Sequence, residues 1–159
     1  VEAVDKLAEY IRTGLNWKIL EKNIKKWQDV AKQNSNIIPR IHMANNVYNI
    51  NTVSNFEKWL LDMKLDHNVV VAYVYDPDIL DPRNCLTKSQ ITECITRIQS
   101  VKIPQIKNEL IGILQHPSIS KESHLTFQNK LKQFTNAMDS IRNTKLSDAN
   151  LEMWEWINE

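Results

Sequence analysis

Apolar residues recur every three or four positions over most of this chain, which is the spacing of an amphipathic α-helix. The clearest run begins after Asn16 and ends in the polar segment 34–36. Its apolar positions are Ile19, Leu20, Ile24, Trp27, Val30 and Ala31. A second run covers residues 53–63, and either Thr52 or Ser54 can cap the helix that it predicts. The pattern therefore predicts two helices in the first half of the chain.

Two short segments have the spacing of strands instead. In residues 40–44, Ile41 and Met43 alternate with Arg40, His42 and Ala44. Residues 69–75 are rich in β-branched and aromatic side chains, and residues 1–4 resemble a strand end. Strands that alternate with helices favour βαβ units and a parallel sheet.

Beyond residue 81 only helical patterns occur. Thr87 and Gln90 form a capping box, and Pro104 suits the first position of a helix. Ser120 is expected to open the longest helix, with apolar positions from 125 to 141 at near-heptad spacing. A last helix, residues 148–157, would place Leu151, Trp154 and Ile157 together. Trp156 would either dock on a neighbouring chain or the missing part of the enzyme, or be one exposed aromatic among several.

Composition narrows the class of protein. The 159 residues are 42% hydrophobic and carry a net charge of +1, so no overall field favours nucleic acid or a membrane surface. Two glycines exclude a glycine-rich phosphate loop, and no apolar run is long enough for a membrane helix. Two cysteines, Cys85 and Cys94, do not form a disulfide framework, which indicates a reducing cytoplasm. Their spacing does not favour a metal site.

Several short motifs together resemble radical S-adenosylmethionine (radical SAM) enzymes that have a twitch- or SPASM-type C-terminal extension. Residues 1–3 are similar to the end of one barrel-strand motif of that family. The other matching segments are YIRTG (10–14), NW (16–17), EKNI (21–24), strands 40–46 and 69–75, the loop DPDIL (76–80) with Arg83 and Asn84, and the helix 134–143.

The resemblance implies an α/β fold in which residues 1–81 form the C-terminal half of a partial (β/α) barrel with parallel strands. Residues 82–159 would form an all-helical extension. It also implies S-adenosylmethionine and a [4Fe–4S] cluster as cofactors. The cluster-binding CxxxCxxC is absent from this chain, so it would lie upstream, in the same enzyme, and this segment alone would hold neither cofactor nor be active. The substrate is not specified.

Three residues are candidates to contact ligands in such a barrel. Arg40 and His42 either line a substrate or cofactor cavity or lie on the exposed face of an edge strand, because burying them without partners is costly. The resemblance implies that Arg12 binds the carboxylate of the cofactor's methionine. The alternative is a surface pair with Asp5 or Glu9.

Three more candidates lie where strands end, which is where α/β sheets bind ligands. Glu2 is expected either to hydrogen-bond a ribose or substrate or to lie in a frayed terminus. Asn46, with Asn45, lies at the rim or serves the turn. Asp76 faces the ligand side or forms an Asx turn before Pro77.

A different class remains open. The chain would then be a non-catalytic, mostly helical interaction or binding module. The absent cluster motif favours this alternative, as does the long apolar helix between Leu125 and Ile141, which suits a bundle or dimer.

Overall fold

A computed structural model describes residues 1–65, 68–118, 120 and 122–159. The helices are α1 (Asp5–Ile11), α2 (Trp17–Gln33), α3 (Val53–Asp62), α4 (Pro82–Cys85), α5 (Lys88–Gln99), α6 (Pro104–Gln115), α7 (His124–Arg142), α8 (Leu146–Ala149) and α9 (Leu151–Asn158). The strands are β1 (Ile41–Asn45) and β2 (Val69–Tyr73). Within these described ranges, no helix has the length and apolar character needed to cross a bilayer.

The two strands are parallel, as the sequence predicts. Their register runs from Ile41 opposite Val69 to Asn45 opposite Tyr73, and α3 forms the connection between them. Val1 extends the sheet on the other side of β1. Its amino group donates to the His42 carbonyl at 2.7 Å, and its own carbonyl accepts from the Ala44 amide at 3.1 Å. The α/β character is therefore confirmed, while closure into a barrel stays a prediction.

The two faces of this small sheet differ in burial. Ile41 and Met43 lie in the core, as the alternation predicts, with Met43 only 1% exposed. His42 is exposed on the opposite face. Its neighbours there, Ala44, Val70 and Ala72, belong neither to the buried core nor to the apolar residues packed on it. One face of the parallel sheet is thus covered and the other is open.

Helix α2 forms where predicted but buries less than its pattern suggests. Asn16 caps it by accepting a hydrogen bond from the Ile19 amide at 3.0 Å. Trp17 is its one buried residue, and Leu20 and Ile24 are partly covered. Trp27 is 61% exposed, so part of the apolar stripe is not covered by the described residues.

The helices after residue 81 follow their local signals more closely. The Thr87–Gln90 capping box is present, and Pro104 is the first residue of α6. Helix α7 begins at His124, not at Ser120, because Ser123 supplies the cap by accepting from the Thr126 amide.

The packing expected for the last helix is wrong, whereas the suggestion that α7 joins a bundle or dimer stays a prediction. Leu125 and Ile141 are 64% and 79% exposed. At the C-terminus, Asn150 separates α8 from α9, and α9 buries Met153, Trp156 and Ile157. These residues are three and four apart and share one helix face, whereas Leu151 and Trp154 point away from it.

Candidate functional site at the carboxyl end of the sheet

The loop that follows β1 is held by its own asparagines. The Asn46 side-chain oxygen accepts from the Tyr48 amide, and the Asn49 oxygen accepts from the Asn46 amide, both at 2.9 Å. The Asn49 side-chain nitrogen donates to the Ala44 carbonyl at 2.9 Å and also to the Glu2 carbonyl. Asn46 therefore has the turn role that was one of its two predicted alternatives. The loop is buried, and Asn49 holds it to the end of β1 and to the N-terminal segment at Glu2.

Helix α7 closes over this loop. The Tyr48 hydroxyl bonds the Thr135 hydroxyl at 2.8 Å, and the Arg142 guanidinium donates to the Tyr10 carbonyl at 3.0 Å. The Tyr10 and Tyr48 rings meet edge to face with centroids 5.9 Å apart. Helix α7 thus packs on two tyrosines. One comes from α1 and the other from the loop after β1.

A cavity of about 210 Å³ remains between these elements. Its wall combines polar groups from α1, the β1 loop and α7 with apolar side chains. The lining residues are Tyr10, Ile11, Asn46, Tyr48, Leu80, Phe134, Met138 and Arg142. The cavity lies at the carboxyl end of β1, where ligands of α/β sheets bind.

Burial changes the acidity of the tyrosines in this region. It raises the pKa of Tyr48 to about 12. Burial also raises the pKa of Tyr10, with a further contribution from the nearby Asp139 carboxyl group. The Tyr10 hydroxyl makes no hydrogen bond within the described residues. Both phenols are therefore neutral hydrogen-bonding groups at physiological pH and not bases.

Glu2 and Arg12, two of the predicted site residues, bind one another. Both Glu2 oxygens accept from the Arg12 Nε at 2.8 Å, and Arg12 Nη2 lies 2.6 Å from Glu2 Oε1. The Glu2 side chain is 11% exposed, so it does not lie in a frayed terminus. The alternative pairing of Arg12 with Asp5 or Glu9 is wrong, since Glu9 instead accepts from the Trp17 amide. The contact with Glu2 raises the pKa of Arg12.

Arg40 and His42 do not join the cavity. Both are exposed, His42 on the open face of the sheet, and neither side chain has a hydrogen-bond partner among the residues described. In the two-stranded sheet β1 pairs along its length with β2 and bonds Val1 on its other side, so the exposure of these two residues matches the edge-strand alternative. A role of Arg40 and His42 in lining a ligand cavity stays a prediction.

Asp76 is exposed, and its side chain accepts no hydrogen bond within the described segments, so the predicted Asx turn before Pro77 is absent. The next aspartate before a proline, Asp81, is instead buried and hydrogen-bonded. It accepts from the Tyr73 hydroxyl at 2.9 Å and from Arg83 Nη2 at 2.7 Å. Its side chain is 2% exposed. The Arg83 guanidinium also lies 5.4 Å from the Tyr73 ring centroid.

The residues described contain no group of three or more His, Cys, Asp or Glu side chains close enough to hold a metal ion. Cys94 is buried, as its position on the apolar stripe predicts, and so is Cys85. Burial raises the pKa of each thiol to about 12. Neither cysteine belongs to a group of three or more ligating side chains among the described residues, so the two do not supply the ligand set of an iron–sulfur cluster.

Sequence inspection missed four residues that organise this region, Tyr10, Tyr48, Asp81 and Arg142. Asp81 had a local signal, because Asp-Pro followed by a short polar segment is a helix start. Tyr48 and Arg142 had none. Their environment arises from contacts between segments 87 and 132 residues apart.

Comparison of the chain with models of known protein families, with curated proteins and with solved structures gives no match. The geometry described above is thus the basis for assigning a function.

Proposed function

We propose that this chain forms the second half of a partial (β/α) barrel in a radical SAM enzyme. The open face of its sheet would form part of the wall around S-adenosylmethionine and the substrate. The observation that carries the proposal is the uncovered face of a parallel sheet. Parallel sheets occur almost always with both faces covered, because the helices that connect their strands lie on those faces. A barrel arc is the arrangement in which one face turns toward a shared interior.

The open face has the composition expected of such an interior. In the parallel register, Glu2 lies beside Ala44 and shares its face with His42. Val70 and Ala72 continue that face on β2. It therefore presents small apolar side chains with the His42 imidazole among them, as ligand-binding walls commonly do, while the Glu2 carboxylate is buried against Arg12.

Helix α2 supplies a second observation. Its residues Glu21 and Gln28 face α3, since Glu21 accepts from the Trp59 indole and Gln28 donates to the Met63 carbonyl. At about 100° per residue, Trp27 and Val30 turn toward the other flank, as does Ile19. These three side chains are 61%, 40% and 58% exposed.

The exposed flank of α2 and the outer edge of the Val1 segment lie on the same side of the sheet. The order across the sheet is Val1, β1 and β2, and α3, which connects β1 to β2, lies on the β2 side of α2. The opposite flank of α2 is therefore on the Val1 side. A preceding β/α unit would pair with that edge and pack on that flank. We therefore take an upstream part of the same enzyme as the partner that covers both.

The Glu2–Arg12 pair gives the proposed cofactor site a specific anchor. Glu2 engages the Nε and Nη2 side of the Arg12 guanidinium, and Nη1 has no partner among the described residues, so it can donate to a ligand. The Arg12 side chain is 63% exposed, so it is accessible to a carboxylate in solution. A guanidinium held by one carboxylate is oriented for a second, and we propose that this second one is the methionine carboxylate of the cofactor.

Bound there, S-adenosylmethionine would supply hydrogen-atom abstraction from the substrate once a cluster reduces it. The residues of this chain would bind and orient the cofactor. The cluster would be held by thiolates upstream of Val1, since Cys85 and Cys94 do not fit that role.

The test uses the longer polypeptide encoded by the natural reading frame upstream of Val1. It would be loaded anaerobically with iron and sulfide, and its visible absorption and its cleavage of S-adenosylmethionine under a low-potential reductant would be measured. We expect a cluster and cofactor cleavage. Arg12→Gln should weaken cofactor binding about tenfold or more, because a charge-assisted hydrogen bond contributes roughly 1.5–3 kcal/mol. Lys32→Gln, which removes an exposed cation at the far end of α2, should leave it unchanged.

Failure to form a cluster, or a reading frame without three clustered cysteines, would overturn the enzymatic proposal. The exposed flank of α2 would then favour the alternative, a non-catalytic interaction module that binds a partner helix through Ile19, Trp27 and Val30.

A further inference from the structure

The cavity beneath α7 contains hydrogen-bond donors that the chain itself does not use. The Asn46 side chain is 4% exposed, and its oxygen is engaged by the Tyr48 amide. Its nitrogen donates to no group within the described residues. This nitrogen is not among the fully buried atoms that lack a partner, so it is accessible from the cavity, where a ligand or water can accept from it.

Arg142 supplies a second unused donor group in the same wall. One of its nitrogens, Nη1, donates to the Tyr10 carbonyl, and the remaining guanidinium donors have no partner in the part of the chain that the structure describes. It also makes no ion pair there. The two other arginines at half-buried positions here, Arg83 and Arg97, are each matched by a carboxylate.

We propose that this cavity binds the carboxylate group of a small aliphatic acid. The carboxylate would accept from Arg142 and from the Asn46 nitrogen, because a guanidinium fork and an amide suit its two oxygens. Its alkyl part would contact Ile11, Leu80 and Met138. This inference depends on the cavity alone and holds whether or not the proposed cofactor binds the open face of the sheet.

The dimensions of the cavity limit the ligand. A volume of about 210 Å³ is roughly that of seven water molecules at ~30 Å³ each. An acid of about six heavy atoms fits within that volume. Neither Tyr10 nor Tyr48 ionises near neutral pH, so their phenols carry no charge that would repel an anion.

The test is a titration of the full chain with butyrate, followed by methyl NMR signals of Ile11, Leu80 and Met138. Butyramide, which has the same shape without the charge, is the matched ligand, and sodium chloride controls for ionic strength. We expect saturable shifts of these methyl groups with millimolar butyrate and at least about tenfold weaker binding of butyramide.

Variants assign the effect to the cavity. Arg142→Gln should weaken butyrate binding about tenfold or more, whereas Lys132→Gln, which removes a cation from the same helix outside the cavity, should not. Equal binding of butyrate and butyramide, no saturable shift, or unchanged binding by Arg142→Gln would each overturn the inference. The comparison of the two ligands on the unaltered chain decides the matter even where Arg142→Gln does not fold.

Discussion

The two parts of the chain, residues 1–81 and 82–159, use similar helical patterns with different results. In the second part, α6 buries an unbroken stripe of Ile106, Leu110 and Leu114. In the first part, α2 has the more strongly amphipathic pattern, yet it buries Trp17 alone and exposes Trp27. An amphipathic pattern therefore predicts a helix, but it does not say whether the surface that covers its apolar face belongs to the same chain.

The exposed apolar residues of the second part are arranged differently. Leu125 and Ile141 on α7 are separated by about 24 Å along the helix axis. Single exposed apolar residues are ordinary on protein surfaces. On α2, by contrast, exposed side chains line one flank, next to an open sheet face, and a clustered surface of this kind calls for a partner.

The largest effect that separates the two parts concerns their aromatic side chains. Phe127 on α7 is 0% exposed, and Phe127→Ala should lower the free energy of unfolding by about 4 kcal/mol because it leaves a cavity. Trp27→Ala should change it by less than about 0.5 kcal/mol, as is usual at exposed positions. Chemical denaturation followed by circular dichroism measures both. A loss for Trp27→Ala close to that for Phe127→Ala would mean that α2 is covered within this chain.

Local sequence signals predicted the elements of both parts well. Asn16, Thr87 and Pro104 mark helix starts that the structure contains, because capping depends on neighbours within one turn. Predictions failed where one signal competed with another nearby. Ser120 and Ser123 are equally good caps, and Asp76 and Asp81 each precede a proline, so position alone could not decide between them.

The candidate site was much less predictable. Glu2 and Arg12 were both identified, but their contact with one another was not, since it joins a strand end to the end of α1. Trp156 was assigned to the wrong face because a helix of eight residues has two plausible apolar faces. Contacts such as that of Arg142 with Tyr10 span 132 residues and depend on how α7 packs. No local pattern encodes them.

An intermediate effect tests the junction between the parts. Asp81 binds Tyr73 from β2 and Arg83 from α4, and the Asp81 and Arg83 side chains are 2% and 14% exposed. Asp81→Ala should lower the free energy of unfolding by about 3 kcal/mol, because it leaves a largely buried guanidinium without its partner. The matched control is Asp76→Ala, which removes an exposed aspartate before a proline and should have almost no effect.

Thermal and chemical unfolding of both aspartate variants give this comparison directly. If Asp81→Ala is as stable as Asp76→Ala, then the Tyr73–Asp81–Arg83 contacts do not join β2 to the helical part. The contrast between the two parts would then extend to their stability as separate units.

The smallest effect concerns the attachment of α9. Glu152 accepts from Arg97 Nη1 at 2.6 Å and from the Asn51 side chain at 2.9 Å, which links the last helix to α5 and to the turn before α3. The hydrogen bond from Arg97 lowers the pKa of Glu152 below its usual 4.5. Its folded-state pKa is depressed, so its contribution is complete above pH 4.5 and is lost as the pH falls through the folded value.

Glu152→Gln should therefore destabilise the chain by less than about 1 kcal/mol at neutral pH, since both side chains are 37% exposed and solvent screens the pair. Measured by urea denaturation, the difference between the original chain and Glu152→Gln should stay constant down to about pH 4.5 and shrink below it. Glu155→Gln, one turn along on the exposed side of α9, is the control and should show no such change. A difference that persists undiminished in acid would show that Glu152 stabilises α9 by packing and not by its charge. The helical part would then hold its last helix by the same apolar contacts that close the rest of it.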